Sequence, residues 1–284
     1  MKSVLKKFVK KILKKTFSRI SKLIDILTYD NINLICDLLI NREITERSRC
    51  HKNPLNNGSV FYGFSQNEED FITLEIINRL GLKNGYFVEF GVGDGTENNS
   101  IILLAAGWKG SWFGGEDLAY DVSSSDKVDF QKVWITKDNI FDIYKSKNKI
   151  ADIVSLDLDG NDFYLADELL SNNVKPKLFI IEYNAKFPPN IDFKIDYDSR
   201  HQWEGDDYFG ASIKTFNSLF SLHGYRLICC NLTGSNAYFV KKEFSNLFND
   251  IPNKLEDIYV EPFYFQRRKK MHITSIKTLL KIIN

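Results

Sequence analysis

The chain is poor in the residues that mark several functional classes. Its 284 residues include only four histidines, four cysteines, two methionines and six prolines. The cysteines (Cys36, Cys50, Cys229 and Cys230) form no C-x-x-C pair, which excludes a zinc-type spacing and a disulfide framework. That usage predicts a reduced, cytoplasmic setting. No apolar run approaches the roughly 18 residues that a membrane span needs. The N-terminus is too basic and too regularly interrupted to read as a signal peptide. Acids are missing from both ends: residues 1–24 hold nine bases and residues 262–284 hold six, with no acid in either. The net charge of +1 therefore hides an acidic middle, where residues 25–261 carry 23 bases against all 37 acids. Such a middle excludes a phosphate-binding, nucleic-acid surface there.

What is present reads as a globular domain with appendages. Apolar residues are 43% and charged residues 26%, enough to bury a core. Apolar positions from Val4 to Leu27 follow a 3.6-residue period with lysines opposite, which predicts an amphipathic helix over 1–28. A second helix is expected over 32–48, and a linker over 50–59, where Pro54 and Gly58 fall. The expected division is a basic helical extension with its linker over 1–58, a main domain over 59–245 and a basic extension over 246–284. The basic ends suit an anionic membrane surface, at the inner face of the membrane, or a protein partner.

From residue 61 strands and helices alternate, which predicts a mainly parallel sheet with helices on both faces. Strands are expected at 86–91, 111–115, 132–136, 152–157 and 177–183. Strands at 225–231 and 236–241 share a tight turn at Gly234, so they are antiparallel neighbours. The fold class is α/β: a Rossmann-like, seven-stranded sheet with an antiparallel final strand pair and helical extensions.

The stretch Val88-Glu89-Phe90-Gly91-Val92-Gly93-Asp94-Gly95 follows a strand and opens a helix. Glycines there let the backbone turn sharply and approach a ligand. Glu89 ends the strand, and Glu116 or Asp117 ends the next, where an acid can accept hydrogen bonds from ribose hydroxyls. The spacing is G-x-G-x-G rather than the dinucleotide G-x-G-x-x-G, and Glu89 would repel a pyrophosphate. A cofactor with a positive centre and no phosphate fits better, and S-adenosylmethionine (SAM) is one. Glu89, Gly91, Gly93, Gly95, Glu116 and Asp117 are the candidate cofactor residues.

These features resemble a class I SAM-dependent methyltransferase. More narrowly, Phe64–Asp70, Ser155–Asp162, Ile181–Ala185, Trp203–Ser212 and Gly234–Ala237 resemble the FkbM-like group of bacterial glycan-biosynthesis proteins. The resemblance covers about residues 61–242 and omits both basic ends. It implies the fold, the SAM cofactor and, more loosely, methylation of a sugar hydroxyl on a surface-glycan (polysaccharide) precursor. The alternatives are a non-catalytic methyltransferase-like scaffold in a membrane-associated glycan assembly complex, with a glycosyltransferase as partner, or an N-methyltransferase on a small molecule.

A second acidic group sits at the next strand ends. Asp157 and Asp159 follow the fourth strand, and Glu182 and Asn184 the fifth. Side chains two apart share a face, so these four are expected to converge beside the cofactor. They suit a hard cation such as Mg²⁺, in a placement similar to that of metal-dependent O-methyltransferases. A metal-free route has Asp157 or Asp159 as general base, and a third reading leaves Asp159–Asp162 as turn and capping residues. His201, in the irregular stretch 197–210 with Trp203 and Tyr208, is a further candidate base. Gln66 and Asp70 either cover the cofactor or cap a helix. Phe187-Pro188-Pro189 reads as a rigid turn.

Overall fold

The computed structural model describes residues 2–57, 63–264 and 275–284; within the first helix, side chains are described for 15–20, 22, 32 and from 34 onward. The expected domain boundary at 58/59 and the basic run Arg267–Lys270 lie outside the described residues. The chain divides into two compact units, residues 1–43 with 265–273, and residues 44–264 with 274–284.

The first unit is built on α1 (Lys2–Cys50). It is one continuous helix and not the expected pair. Thr28-Tyr29-Asp30-Asn31, between the two expected helices, contains neither glycine nor proline to stop it. Along it Phe17, Ile20, Leu34, Ile35, Leu38 and Leu39 are exposed.

The second unit runs α2 (Glu69–Arg79), β1 (Tyr86–Phe90), α3 (Ile101–Ala105), β2 (Lys109–Gly114), β3 (Val128–Lys132), α4 (Ile140–Ser146), β4 (Ile153–Leu156) and α5 (Asp162–Ser171). It continues with β5 (Leu178–Glu182), α6 (Ile213–Leu222), β6 (Tyr225–Cys230), β7 (Asn236–Lys241), α7 (Leu255–Ile258) and α8 (Ile276–Ile283). One seven-stranded sheet has the order β3-β2-β1-β4-β5-β7-β6. Strands β1 to β5 are parallel, while β7 runs antiparallel to both β5 and β6. This is the α/β sheet, with its antiparallel final pair, that the sequence predicts.

The central strands are buried on both faces, as their unbroken apolar runs require. Phe87, Phe90, Val154, Leu156, Phe179 and Ile181 are all within 1% of full burial. Phe220 of α6 stacks on Phe239 of β7 at 4.1 Å between centroids, joining the helix layer to the sheet. Strand order reverses between β1 and β4, and the crevice outside their carboxyl ends is where open α/β sheets bind ligands.

Three parts differ from expectation. Strand β3 covers 128–132, not 132–136, because Gly110 of β2 pairs with Val128. Residues 50–57 are no linker: Asn53 and Asn56 donate through Nδ2 to the Ile228 and Cys230 carbonyls (2.7 and 2.8 Å), which satisfies the outer edge of β6. The region after 245 is no mere appendage either, since Phe248, Ile251, Ile258, Leu279 and Ile283 enter the core. No helix connects β2 to β3. Instead α8 packs near α3, and its last carbonyls, Ile282 and Ile283, accept hydrogen bonds from Lys127 Nζ and Ser125 Oγ.

Candidate active site

A cavity of about 390 Å³ opens at the carboxyl ends of β1, β4 and β5. The glycine turn forms one side of it. Gly91 has φ +90°, and a Cβ there would overlap the Asp157 carbonyl oxygen, so only glycine lets the ends of β1 and β4 close together. Gly93 has φ +49° and faces open space, leaving room for a ligand against its backbone. Gly95 does not line the cavity: its α-carbon faces Leu118 and Tyr120, and the Tyr120 hydroxyl donates to its carbonyl at 2.7 Å.

Glu89 is 2% exposed at the floor. Its carboxylate accepts from the backbone N–H groups of Asn99 (2.9 Å) and Ser100 (3.1 Å) and from the Ser100 hydroxyl, ahead of α3. Trp112 Nε1 in turn donates to Ser100 Oγ at 2.8 Å, locking the arrangement. Burial outweighs these donors and pushes the Glu89 carboxyl up to about 7.

The two ribose candidates separate. Asp117 is ion-paired with Lys132 at 2.7 Å and turns to another part of the surface. Glu116 is exposed at the end of β2 and acts electrostatically on Asp159, across the same strand ends. Neither lines the 390 Å³ cavity itself.

Asp157, Asp159 and Glu182 converge, each offering a carboxylate oxygen within 4.8 Å of the others. Asp159 is exposed and holds left-handed backbone (φ 53°), uncommon outside glycine and worth noting at a site. Glu182 Oε2 is buried without a hydrogen-bond partner. Loss of hydration, then mutual repulsion, pushes the carboxyls of Asp157 and Glu182 well up. Asp159 is also raised, by burial and by Glu116, against a lowering pull from His201.

Asn184 is engaged by backbone. Its Nδ2 donates to the Asp207 and Phe209 carbonyls (2.9 and 3.1 Å), and its Oδ1 accepts from Lys186 N (3.2 Å), so it fastens the stretch that follows β5. That engagement occupies both ends of the amide expected as a fourth ligand. His201 lies against Gly160, where a Cβ would collide with its ring, and is not among the cavity-lining residues. Its Nε2 is buried without a partner. His201 thus lies outside the cavity lining but close enough to Asp159 to act on its carboxyl electrostatically. Asp162 accepts from Leu158 N and Gly160 N, both at 2.9 Å, and holds the turn that presents Asp157 and Asp159.

The acids of the Phe64–Asp70 motif, to which sequence reasoning assigns no chemistry beyond Asp70, also stand at the cavity, with Glu69 in its lining. Glu69 is 1% exposed and accepts from Asn67 N (2.8 Å), Asn231 Nδ2 (2.8 Å) and Asn236 Nδ2 (3.3 Å). Glu68 accepts from Thr233 N (2.9 Å), and Asp70 from the N–H groups of Gly63, Phe64 and Ser65. The Phe64–Asp70 and Gly234–Ala237 motifs are thus one wall, and Asp70 ties down backbone rather than a cofactor. Asn98 and Asn99 complete the lining beside Glu89. Their signal was available in the sequence as polar residues opening the helix after a glycine turn.

No protein-family model matches the sequence, and no curated protein matches it. Solved structures give fold-level likenesses. The MycE methyltransferase from the mycinamycin biosynthetic pathway, in complex with Mg, SAH and mycinamycin VI, is 13% identical with a TM-score of 0.39, covering 59% of this chain and 47% of that one. CalO1, a methyltransferase in calicheamicin biosynthesis in its SAH-bound form, is 12% identical with a TM-score of 0.34, covering 60% and 56%. An O-methyltransferase family 2 protein from Planctomyces limnophilus, in complex with apigenin, is 13% identical with a TM-score of 0.33, covering 55% and 51%. The matched part spans about half the length of these proteins. Likenesses of this degree leave the strand order itself as the ground for the fold.

Proposed function

We propose that the chain is a SAM-dependent methyltransferase that methylates a hydroxyl of a sugar or surface-glycan precursor. The carrying observation is the lining of the cavity. Seven carboxylates (Glu69, Glu89, Asp94, Glu97, Asp157, Asp159 and Glu182) face it, and among the described residues no lysine, arginine or histidine does. Such a site repels a pyrophosphate and attracts a sulfonium and an ammonium group. The open side of Gly93 gives the cofactor backbone to lie on, and Glu116 is the acid for its ribose hydroxyls.

The donor set of Asp157, Asp159 and Glu182 fits a hard divalent cation such as Mg²⁺: three convergent, acceptor-only groups whose repulsion a cation would relieve. When bound, that ion would lower the pKa of an acceptor hydroxyl. In the metal-free route Asp159, the exposed member of the three, would instead receive the hydroxyl proton. The acceptor oxygen forms its bond to the methyl carbon as the carbon–sulfur bond breaks, leaving a neutral thioether. Glu182 and Glu89, whose carboxyls burial raises, would be drawn towards their charged forms by the positive centre of the bound cofactor.

A hydroxyl-rich acceptor is supported by half-exposed aromatics beside the site. Trp134, Trp203 and Tyr208 are 48%, 49% and 45% exposed, and such rings stack on sugar faces. Trp134 Nε1 donates to the Ser199 carbonyl at 2.8 Å, holding the 197–210 stretch near the end of β3. The basic ends serve location: Lys15, Arg19 and Lys22 are exposed together with Phe17 and Ile20, a pairing that suits an anionic membrane or a glycosyltransferase partner.

Calorimetric titration with S-adenosylhomocysteine tests the first half; absence of binding at millimolar ligand rejects it. Mass spectrometry of the host's surface glycans with and without the protein tests the second, and the expected result is loss of one methyl increment. Methyl transfer that survives exhaustive chelation unchanged would remove the cation from the scheme.

A further inference from the structure

A cavity whose charged lining, among the described residues, is all acid suits the positive centres of SAM but offers no cation to the α-carboxylate on its amino-acid end. That carboxylate needs an uncharged donor, and the side-chain amides facing the cavity can be sorted by what they already do. Asn99 Nδ2 donates to Ser155 Oγ at 3.2 Å. Asn236 Nδ2 donates to Glu69 Oε1 at 3.3 Å. Gln66 is exposed at the rim. The Thr96 hydroxyl donates to Asp94 at 2.6 Å.

Asn98 differs from all of them. It lines the cavity, is 5% exposed, and its Nδ2 is buried with no acceptor. A buried N–H₂ group without a partner is destabilising, and native proteins rarely keep one without a reason. Its acidic neighbours in the chain do not block a carboxylate there. Asp94 and Glu97 are exposed, so water screens their charge, and Asp94 already accepts from the N–H and hydroxyl of Thr96.

We propose that Asn98 Nδ2 is the receptor for the α-carboxylate of the bound cofactor, and that it makes the site selective for cofactors that keep that group. The assignment rests on the SAM reading above. It places the amino-acid end beside Asn98, at the start of α3, and the sulfonium between Glu89 and the Asp157/Asp159/Glu182 cluster.

The test compares two ligands that differ only in the carboxylate, SAM and decarboxylated SAM, titrated calorimetrically into wild type, Asn98→Ala and Asn98→Asp. Wild type is expected to prefer SAM by about tenfold or more, the range for a hydrogen bond to a charged group. Asn98→Ala should lose that preference by weakening SAM alone, with decarboxylated SAM held within about twofold. Asn98→Asp should weaken SAM further, because it sets a like charge against the carboxylate. The ratio of the two affinities is independent of how much of a variant is folded. Equal weakening of both ligands, or a wild type that does not distinguish them, overturns the assignment while leaving the cofactor reading standing. A wild type that binds neither ligand removes the cofactor reading and this assignment together.

Discussion

Glu68, Glu69 and Asp70 at the start of α2, and Asp157, Asp159 and Glu182 at the ends of β4 and β5, are two trios of carboxylates beside one cavity. Their bonding differs. In the first trio each member accepts from backbone N–H groups: Thr233 to Glu68, Asn67 to Glu69, and three successive residues to Asp70. These acids hold the wall in shape. In the second trio the oxygens converge on one another, within 4.8 Å; a buried oxygen without a partner occurs in both trios, on Glu68 and Asp70 in the first and on Glu182 in the second. Carboxylates that converge in this way need a proton, a cation or a ligand to offset their repulsion. The two trios thus differ in what they face: the first faces backbone N–H groups of its own wall, the second faces its own members.

The sharpest way to break this comparison is Asp157→Asn. Turnover should fall by a factor on the order of 10² or more, as for removal of a group acting at the reacting atoms, while the melting temperature holds or rises because one repelling charge is gone. A melting loss with turnover intact would make the second trio structural as well.

Asp70→Ala should show the opposite pattern. It strips the acceptor from three N–H groups and should cost about 2–4 kcal/mol in urea unfolding, with turnover per folded molecule kept within a few-fold. A large fall in turnover at unchanged stability would move Asp70 into the chemistry.

The smallest effect is on pH dependence. Burial, followed by repulsion from Glu69, raises the Glu68 carboxyl to about 8 in the folded state. The folded protein then keeps a proton that the unfolded chain releases near pH 4–5. Its contribution to stability is complete below that range and is lost as pH rises towards 8. Melting temperature should therefore decline by a few degrees between pH 5 and 8, and Glu68→Gln should flatten the decline. An unaltered slope in that variant would show that Glu68 is ionised throughout.

The sheet was legible because its central strands are apolar on both faces, and the glycine turn because Gly91 and Gly93 mark positive φ. The acids at the ends of β4 and β5 were legible from their alternation. Other parts depended on distant partners. Strand β3 is an edge strand of half-polar residues, Val128-Asp129-Phe130-Gln131-Lys132, beside the more apolar Val133-Trp134-Ile135, so the apolar run drew the expectation four residues too far. Asn184 has the right position for a ligand, and only the fold of 207–209 back over it engages its amide. The Glu69–Asn231 contact joins residues more than 160 apart, which no local pattern reveals.

The docking of α8 has a kinetic consequence. Lys127 and Ser125, immediately before β3, are held by carbonyls of Ile282 and Ile283, more than 150 residues later. Loop closures of that length are slow and come late. During synthesis the β1–β4–β5 centre and its cavity can assemble first, while the β2–β3 edge waits for residues 276–283 to emerge. The two ends of the sheet therefore mature at different times, and the last helix acts as the clasp that finishes the edge.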